Sequence, residues 1–387
     1  MNFNDIINPT VAGIKPSGIR KFFDMAYGME GVISLGIGEP DFVTPWHVRD
    51  AGIYSLEKGN TMYTPNPGLP ELRRVLCDYL SRRFRLSYEV PETLVTVGGS
   101  EAIDLAIRAV VKPGDEVIIP EPCFVCYDPI TRLAGGTPVA LACLPEDNFK
   151  LDPERLEAAI TPRTKLLVFP FPNNPTGAVM GREDLEAVAE VIRRHDIAVI
   201  SDEIYAELTY TGERHVSIAS LEGMRERTVV VSGLSKSHAM TGWRLGFAVG
   251  PREIIGPMTK IHQFAIMCAP IMSQYAAIEA LRDGDGDIAD MHEEYDRRRR
   301  LVTDGFNRLG LTCFEPMGAF YVFPDIRSTG MSSAEFCERL LKEAKVAVVP
   351  GDAFGESGEG FVRVSYAYSV KQITAALERI EEFLKNV

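Results

Sequence analysis

Between Leu94 and Val249 the chain alternates short, almost unbroken runs of Val, Ile and Leu with longer amphipathic stretches. The apolar runs are Leu94–Val97, Glu116–Pro120, Pro138–Leu144, Lys165–Phe169, Ile197–Ser201, Thr228–Ser232 and Leu245–Val249. Two of the amphipathic stretches between them are Glu101–Val111 and Arg182–His195. A strand that is apolar at nearly every position has no face left for water, so these runs read as a sheet covered by helices on both sides. The expected fold is therefore α/β, with a mainly parallel seven-stranded sheet between helices. Sheets of this kind bind their ligands beyond the carboxyl ends of the strands.

That rule picks out four polar signals. Gly98-Gly99-Ser100 follows the first run, Asn174 follows the run ending at Phe169, Asp202 follows Ser201, and Lys236 follows Ser232. Each has an ordinary structural reading: a glycine turn, an Asn-Pro turn, an aspartate cap, a surface lysine. Their convergence on one edge of one sheet is what scattered polar residues would not give. There, a lysine is expensive to desolvate and is pushed toward the neutral, nucleophilic amine. A carboxylate at the end of an apolar strand is costly unless a cation pairs with it. Glycines opening a helix make a phosphate cradle in principle. The G-x-G-x-x-G fingerprint of a nicotinamide site is absent.

The bulk numbers set the frame. At 387 residues the chain exceeds the length at which one core keeps growing, so two domains are expected. Hydrophobic content of 45% and charged content of 25% are those of a soluble globular protein. A net charge of −13 argues against a nucleic-acid surface. No apolar run approaches the length of a membrane span, and Met1–Lys15 does not read as a signal peptide. A cytoplasmic location is expected. Only Cys123 and Cys126 of the seven cysteines form a C-x-x-C pair, and the six histidines have no ligand spacing, so no metal is expected. Asp287–Leu309 is a charged helical pattern whose Arg297–Arg300 run reads as a solvated face. Beyond it, strand-like Ala319–Phe323, Ala347–Val349 and Phe361–Ser365 suggest a smaller α+β domain.

One stretch carries more information than any other. Val229–Gly246 runs from an apolar strand through Ser235-Lys236 into Met-Thr-Gly-Trp-Arg-Leu-Gly, with Arg244 between Gly242 and Gly246. It resembles the cofactor-lysine segment of class I/II aminotransferases, the fold-type-I pyridoxal-phosphate enzymes. Pro172-Asn-Asn-Pro-Thr-Gly177, Glu121-Pro-Cys-Phe-Val-Cys-Tyr127, Leu35-Gly-Ile-Gly-Glu-Pro-Asp-Phe42, Tyr63-Thr-Pro-Asn-Pro-Gly-Leu-Pro-Glu-Leu-Arg73 and Phe361-Val-Arg-Val-Ser-Tyr366 are similar to further motifs of that family, in its order. The resemblance covers nearly the whole chain.

It implies pyridoxal 5'-phosphate as cofactor, with Lys236 bonding its aldehyde carbon. Gly99, Ser100, Glu101 (through its main chain) and Arg244 would hold the phosphate. Relatives carry a serine three positions before the lysine where this chain has Gly233, which leaves Ser232 and Ser235 as candidate further donors. Asp202 would pair with the ring nitrogen, Asn174 and Tyr205 with the ring oxygen, and Phe124 would stack on the ring; Phe124 reads equally well as core. Arg363, an arginine in an apolar strand, would clamp the substrate α-carboxylate with help from Gly38, and Phe124 and Asn174 would border the same substrate. Tyr63 would reach the phosphate of a neighbouring subunit, which implies a homodimer. The family also implies a large domain over 46–285 and a small discontinuous one over 1–45 and 286–387.

The implied reaction moves an amino group from an L-amino acid to a 2-oxo acid, with 2-oxoglutarate the expected acceptor, by a ping-pong mechanism. The donor is expected to be aspartate, an aromatic amino acid or N-acetyl-LL-diaminopimelate; the string Gly233–Arg244 points to the last. A carbon–sulfur β-lyase of the same fold is the alternative. A non-catalytic regulator is disfavoured, because the family pattern begins by Gly38 and leaves no room for a DNA-binding segment.

Overall fold

The computed structural model describes residue 1 and residues 6–16, 18, 19 and 28–386. Part of the expected 1–45 segment, including residues 2–5 of the Met1–Lys15 stretch, therefore lies outside the described residues. Twelve strands appear among the described ones: β1 (Ile33–Ser34), β2 (Thr93–Thr96), β3 (Glu116–Glu121), β4 (Thr137–Ala142), β5 (Thr164–Phe169), β6 (Ala198–Asp202), β7 (Thr228–Gly233), β8 (Gly246–Val249), β9 (Tyr321–Val322), β10 (Val346–Ala347), β11 (Val349–Pro350) and β12 (Val362–Ser365).

β2 to β8 form one seven-stranded sheet in the order β2-β8-β7-β6-β5-β3-β4. The runs from β4 to β7 pair in parallel, while β8 is antiparallel to both of its neighbours, β2 and β7. Alternation along each strand divides the side chains between two helical layers. Val229 and Val231 face a cluster with Ile103, Ile107 and Met258, from helices Gly99–Val110 and Arg252–Ala265. Val230, Phe247 and Val249 face the opposite layer, with Leu76, Leu80 and Leu281. Leu185, Val188 and Ile192 of helix Arg182–His195 cover Leu167 and Val199 on that same side. The edge strand β4 departs from the expectation of a fully covered sheet: it is half exposed, because nothing pairs beyond it.

β1 pairs in parallel with β10, Ile33 opposite Val346. The segment preceding the large sheet is thereby joined to the C-terminal part of the chain. There, β9, β11 and β12 make a three-stranded antiparallel sheet. Its core includes Phe320, Val322 and Val364 packed on Met291, Tyr295 and Phe306 from the 24-residue helix Asp285–Arg308.

That helix corrects the reading of Arg297–Arg300 as a solvated face. Arg297 and Arg300 are exposed, but Arg298 and Arg299 are buried. Arg298 ion-pairs with Asp41 and Glu294 at 2.8 Å, and Arg299 with Asp296 and Glu315 at 2.8 and 2.6 Å. Helical periodicity points two of four successive residues inward, and acidic partners from distant segments make their burial tolerable. No helix among the described residues is long and apolar enough to cross a membrane.

Candidate active site

Three parallel strands and the hairpin-like turn into β8 end at one cleft of about 310 Å³, within the range of small-molecule sites. Its wall contains Gly38, Gly99, Ser100, Phe124, Asn174, Asp202, Tyr205, Ser235, Lys236, Arg244 and Arg363. Eleven of the thirteen residues expected from the sequence thus meet in one place. Glu101 and Tyr63 lie outside that wall. The Glu101 carboxylate is turned away, accepting from Val97 N at 2.5 Å and contacting His262 Nδ1 at 2.7 Å, so only its main chain is left for the cleft side. Tyr63 is 81% exposed.

The topology explains the meeting. Gly98, at φ 84°, caps a helix that begins at Gly99, two residues before the expected Glu101; the first N–H groups of a helix have no intrahelical acceptor. β7 and β8 run antiparallel with Gly233 opposite Gly246, so the loop between them delivers Lys236 and Arg244 to the same sheet edge. A side chain at Gly246 would come within 2.5 Å of the Gly98 backbone, and one at Gly98 within 2.7 Å of Arg244 Nη2. Bare glycines let the arginine lie against the helix N-terminus. Ser235 lines the cleft, whereas Ser232 turns its hydroxyl the other way, to the Glu203 carbonyl at 3.1 Å.

The charges are unbalanced. Among the described residues, Lys236, Arg244 and Arg363 have no carboxylate within ion-pair distance. Lys236 Nζ donates to the Gly38 carbonyl at 2.6 Å, and burial pulls its pKa down to about 8. Arg244 Nη1 donates to the Thr241 carbonyl at 3.0 Å. Arg363, only 2% exposed, donates to Asn174 Oδ1 at 3.0 Å and Gly36 O at 2.5 Å, yet its Nε has no partner. Burial, with a smaller push from neighbouring Glu203, raises Asp202 to about 6, against hydrogen bonds from the Tyr127 hydroxyl at 2.8 Å and Ile204 N at 3.2 Å. The cleft therefore offers two guanidiniums to anions, a carboxyl group in need of a cation and an amine near neutrality.

A family model for class I and II aminotransferases matches residues 30–380. The chain belongs to that family. YugH of Bacillus subtilis (strain 168), provisionally named an aminotransferase, is 56% identical over 97% of each chain. An aspartate aminotransferase of Pyrococcus abyssi is 47% identical over 96% of this chain and 97% of its own. Among solved structures, an aromatic aminotransferase from Pyrococcus horikoshii OT3 superposes with a TM-score of 0.90 at 45% identity, over 95% of this chain and 99% of that one. The protein is thus a pyridoxal-phosphate-dependent aminotransferase of the α/β fold expected from its sequence.

The aminotransferase cleft suits that cofactor on its own chemistry. The unpaired guanidinium at a helix N-terminus matches a phosphate, and the raised Asp202 carboxyl matches a protonated ring nitrogen. The part-buried amine matches an aldehyde. Sequence reasoning missed several wall residues, among them Tyr127, Ile204, Thr241 and Tyr321. Tyr127 ends the string that contains Phe124, and its place three residues on was the only available signal.

Proposed function

We propose that this aminotransferase works with the following division of labour. Gly99, Ser100 and Glu101 main-chain groups, Ser235 and Arg244 hold the cofactor phosphate. Asp202 would pair with the ring nitrogen, Phe124 would stack on the ring, and Asn174 and Tyr205 would hydrogen-bond the ring oxygen. The bound cofactor supplies an aldehyde for the substrate amino group and an electron-withdrawing ring for the charge left at Cα. Arg363 fixes the α-carboxylate bidentately, with the Gly38 main chain beside it. Lys236 Nζ would take the proton from the substrate Cα and deliver it to the carbon contributed by the cofactor's aldehyde, acting as general base and then general acid; the second half-reaction would run the same transfer in reverse. Two half-reactions on one site mean ping-pong kinetics.

The observation that carries this reading is the buried Arg363, held by neutral acceptors alone, in the same cleft as the Lys236 amine, whose pKa burial lowers to about 8. Ser235 is preferred to Ser232 because the Ser232 hydroxyl is engaged with Glu203. Trp46, Met62, Tyr63 and Phe264 are large apolar side chains left exposed, as a face covered by a second copy would leave them, which supports a homodimer in which Tyr63 reaches the neighbouring cleft. The β1–β10 pairing supports the division into 46–285 and a discontinuous 1–45 plus 286–387. The enzyme is cytoplasmic in this reading.

The donor is aspartate, an aromatic amino acid or N-acetyl-LL-diaminopimelate, and the acceptor is 2-oxoglutarate. Relatives named for each of the three donors support the set, and the Gly233–Arg244 string points to the third. Single amino acids added without acceptor to the loaded enzyme rank the donors by how fast the cofactor absorption changes to that of its amine form. Release of pyruvate and ammonia without any acceptor would instead favour the β-lyase chemistry.

A further inference from the structure

Tyr321 sits on β9 opposite Ser365 of β12. Arg363 is two residues from Ser365 on β12, so Tyr321 and Arg363 share one face of that small sheet. The Arg363 guanidinium carbon lies 4.5 Å from the centre of the Tyr321 ring, stacking distance for a cation on an aromatic face. The Tyr321 hydroxyl is 2.9 Å from the Tyr205 hydroxyl, and both side chains are buried. A methyl group at Gly38 would fall within 2.1 Å of the Tyr321 oxygen, so the missing side chain there is what admits this hydroxyl. The carbonyl of the same Gly38 accepts from Lys236.

Two phenols in contact hold one proton between their oxygens and leave the other free to point elsewhere. The adjacent Arg363 charge favours negative charge on the Tyr321 oxygen and so makes Tyr321 the better donor of the pair. We infer that Tyr321 is a positioning residue, donating to Tyr205 so that the Tyr205 proton is aimed at the cofactor's ring oxygen, and carrying Arg363 on its ring. The inference rests on the roles proposed above for Tyr205 and Arg363.

The test is a pH titration of the visible absorption of the loaded, substrate-free enzyme. A donor to the ring oxygen draws electron density from the cofactor and lowers the pH at which the chromophore loses its proton. Tyr205→Phe removes that donor and moves the midpoint up. Tyr321→Phe weakens it and moves the midpoint up by less, about 0.3–0.7 pH unit for one hydrogen bond. In the double variant, Tyr321→Phe adds nothing further. Tyr321→Leu also removes the ring, raising KM for the amino acid several-fold above that of Tyr321→Phe, with a smaller change in kcat.

An unmoved midpoint in Tyr321→Phe, beside a moved one in Tyr205→Phe, overturns the inference alone. An additive double variant does the same, since Tyr321 would then act by another route. An unmoved midpoint in Tyr205→Phe overturns the reading of Tyr205 and this inference with it. Equal KM values for Tyr321→Leu and Tyr321→Phe remove the ring's part.

Discussion

Arg298 and Arg363 are both buried arginines, and they live under opposite rules. Arg298, on the long helix, has two carboxylates at 2.8 Å. Arg363, on β12, has aromatic rings beside it but only a side-chain amide and a carbonyl as hydrogen-bond acceptors, and an Nε with none. A buried guanidinium that meets its counter-charge within its own chain is a structural tie. One that lacks it is waiting for an anion from outside. The contrast teaches that burial does not set Arg363 apart, since Arg298 shares it; the missing carboxylate does, and the role proposed for Arg363 rests on that. Exposed Arg244, and Lys236 beside it, extend the unpaired set.

The contrast breaks first at Lys236. Lys236→Ala should lower transamination by more than about 10⁴-fold while some cofactor stays bound through its phosphate, as seen in absorption after gel filtration. A variant with normal turnover would end the assignment.

Arg363→Leu should lower kcat/KM for the amino acid by about 10²–10³-fold, the scale of a lost buried charge-assisted clamp. Because no carboxylate is orphaned, urea unfolding of the cofactor-free protein should move by less than about 1 kcal/mol. Arg298→Leu should do the reverse, costing about 2 kcal/mol through the stranded Asp41, whose partial exposure softens the loss, while Glu294 keeps Arg297. Equal stability losses in the two variants would dissolve the distinction.

The pH dependence of cofactor attachment is a finer probe. Only the neutral amine attacks an aldehyde, so a Lys236 pKa of about 8 makes the rate rise roughly tenfold between pH 7 and 9 and then level off. Below about pH 6, protonation of Asp202 removes the charge that would face the ring nitrogen, and the fraction loaded at equilibrium should fall. Stopped-flow absorbance on the apoenzyme gives both; a rate still climbing at pH 10 would mean an ordinary, solvated lysine. The smallest effect belongs to exposed Arg300. Arg300→Ala should change stability by less than about 0.5 kcal/mol in spite of its ion pair with Asp296.

Much of this was legible in the chain. The Val/Ile/Leu runs gave up the seven strands because side chains buried on both faces leave a continuous apolar signature, and Thr228–Ser232 is within one residue of β7. The ends of those strands located Asn174, Asp202 and Lys236 because sheet topology, a local property of the pattern, decides where strand ends gather. What could not be read was anything decided by register between distant segments. Tyr321 falls in a run that looks like plain core, and only the pairing of β9 with β12 turns it toward Arg363. Arg298 looked solvated because its partner Asp41 is 257 positions away. The antiparallel direction of β8 was invisible for the same reason: its apolar run reads alike in either direction.

That reversed strand has a consequence for how the enzyme could lose its cofactor. Lys236 and Arg244, in their proposed roles the covalent and the ionic anchor, occupy one twelve-residue loop, pinned at its two ends by the facing pair Gly233 and Gly246. They are therefore not independent safeguards: a disturbance that unseats the loop loosens both grips together and leaves only the helix N-terminus at Gly99 and Ser100 to hold the phosphate.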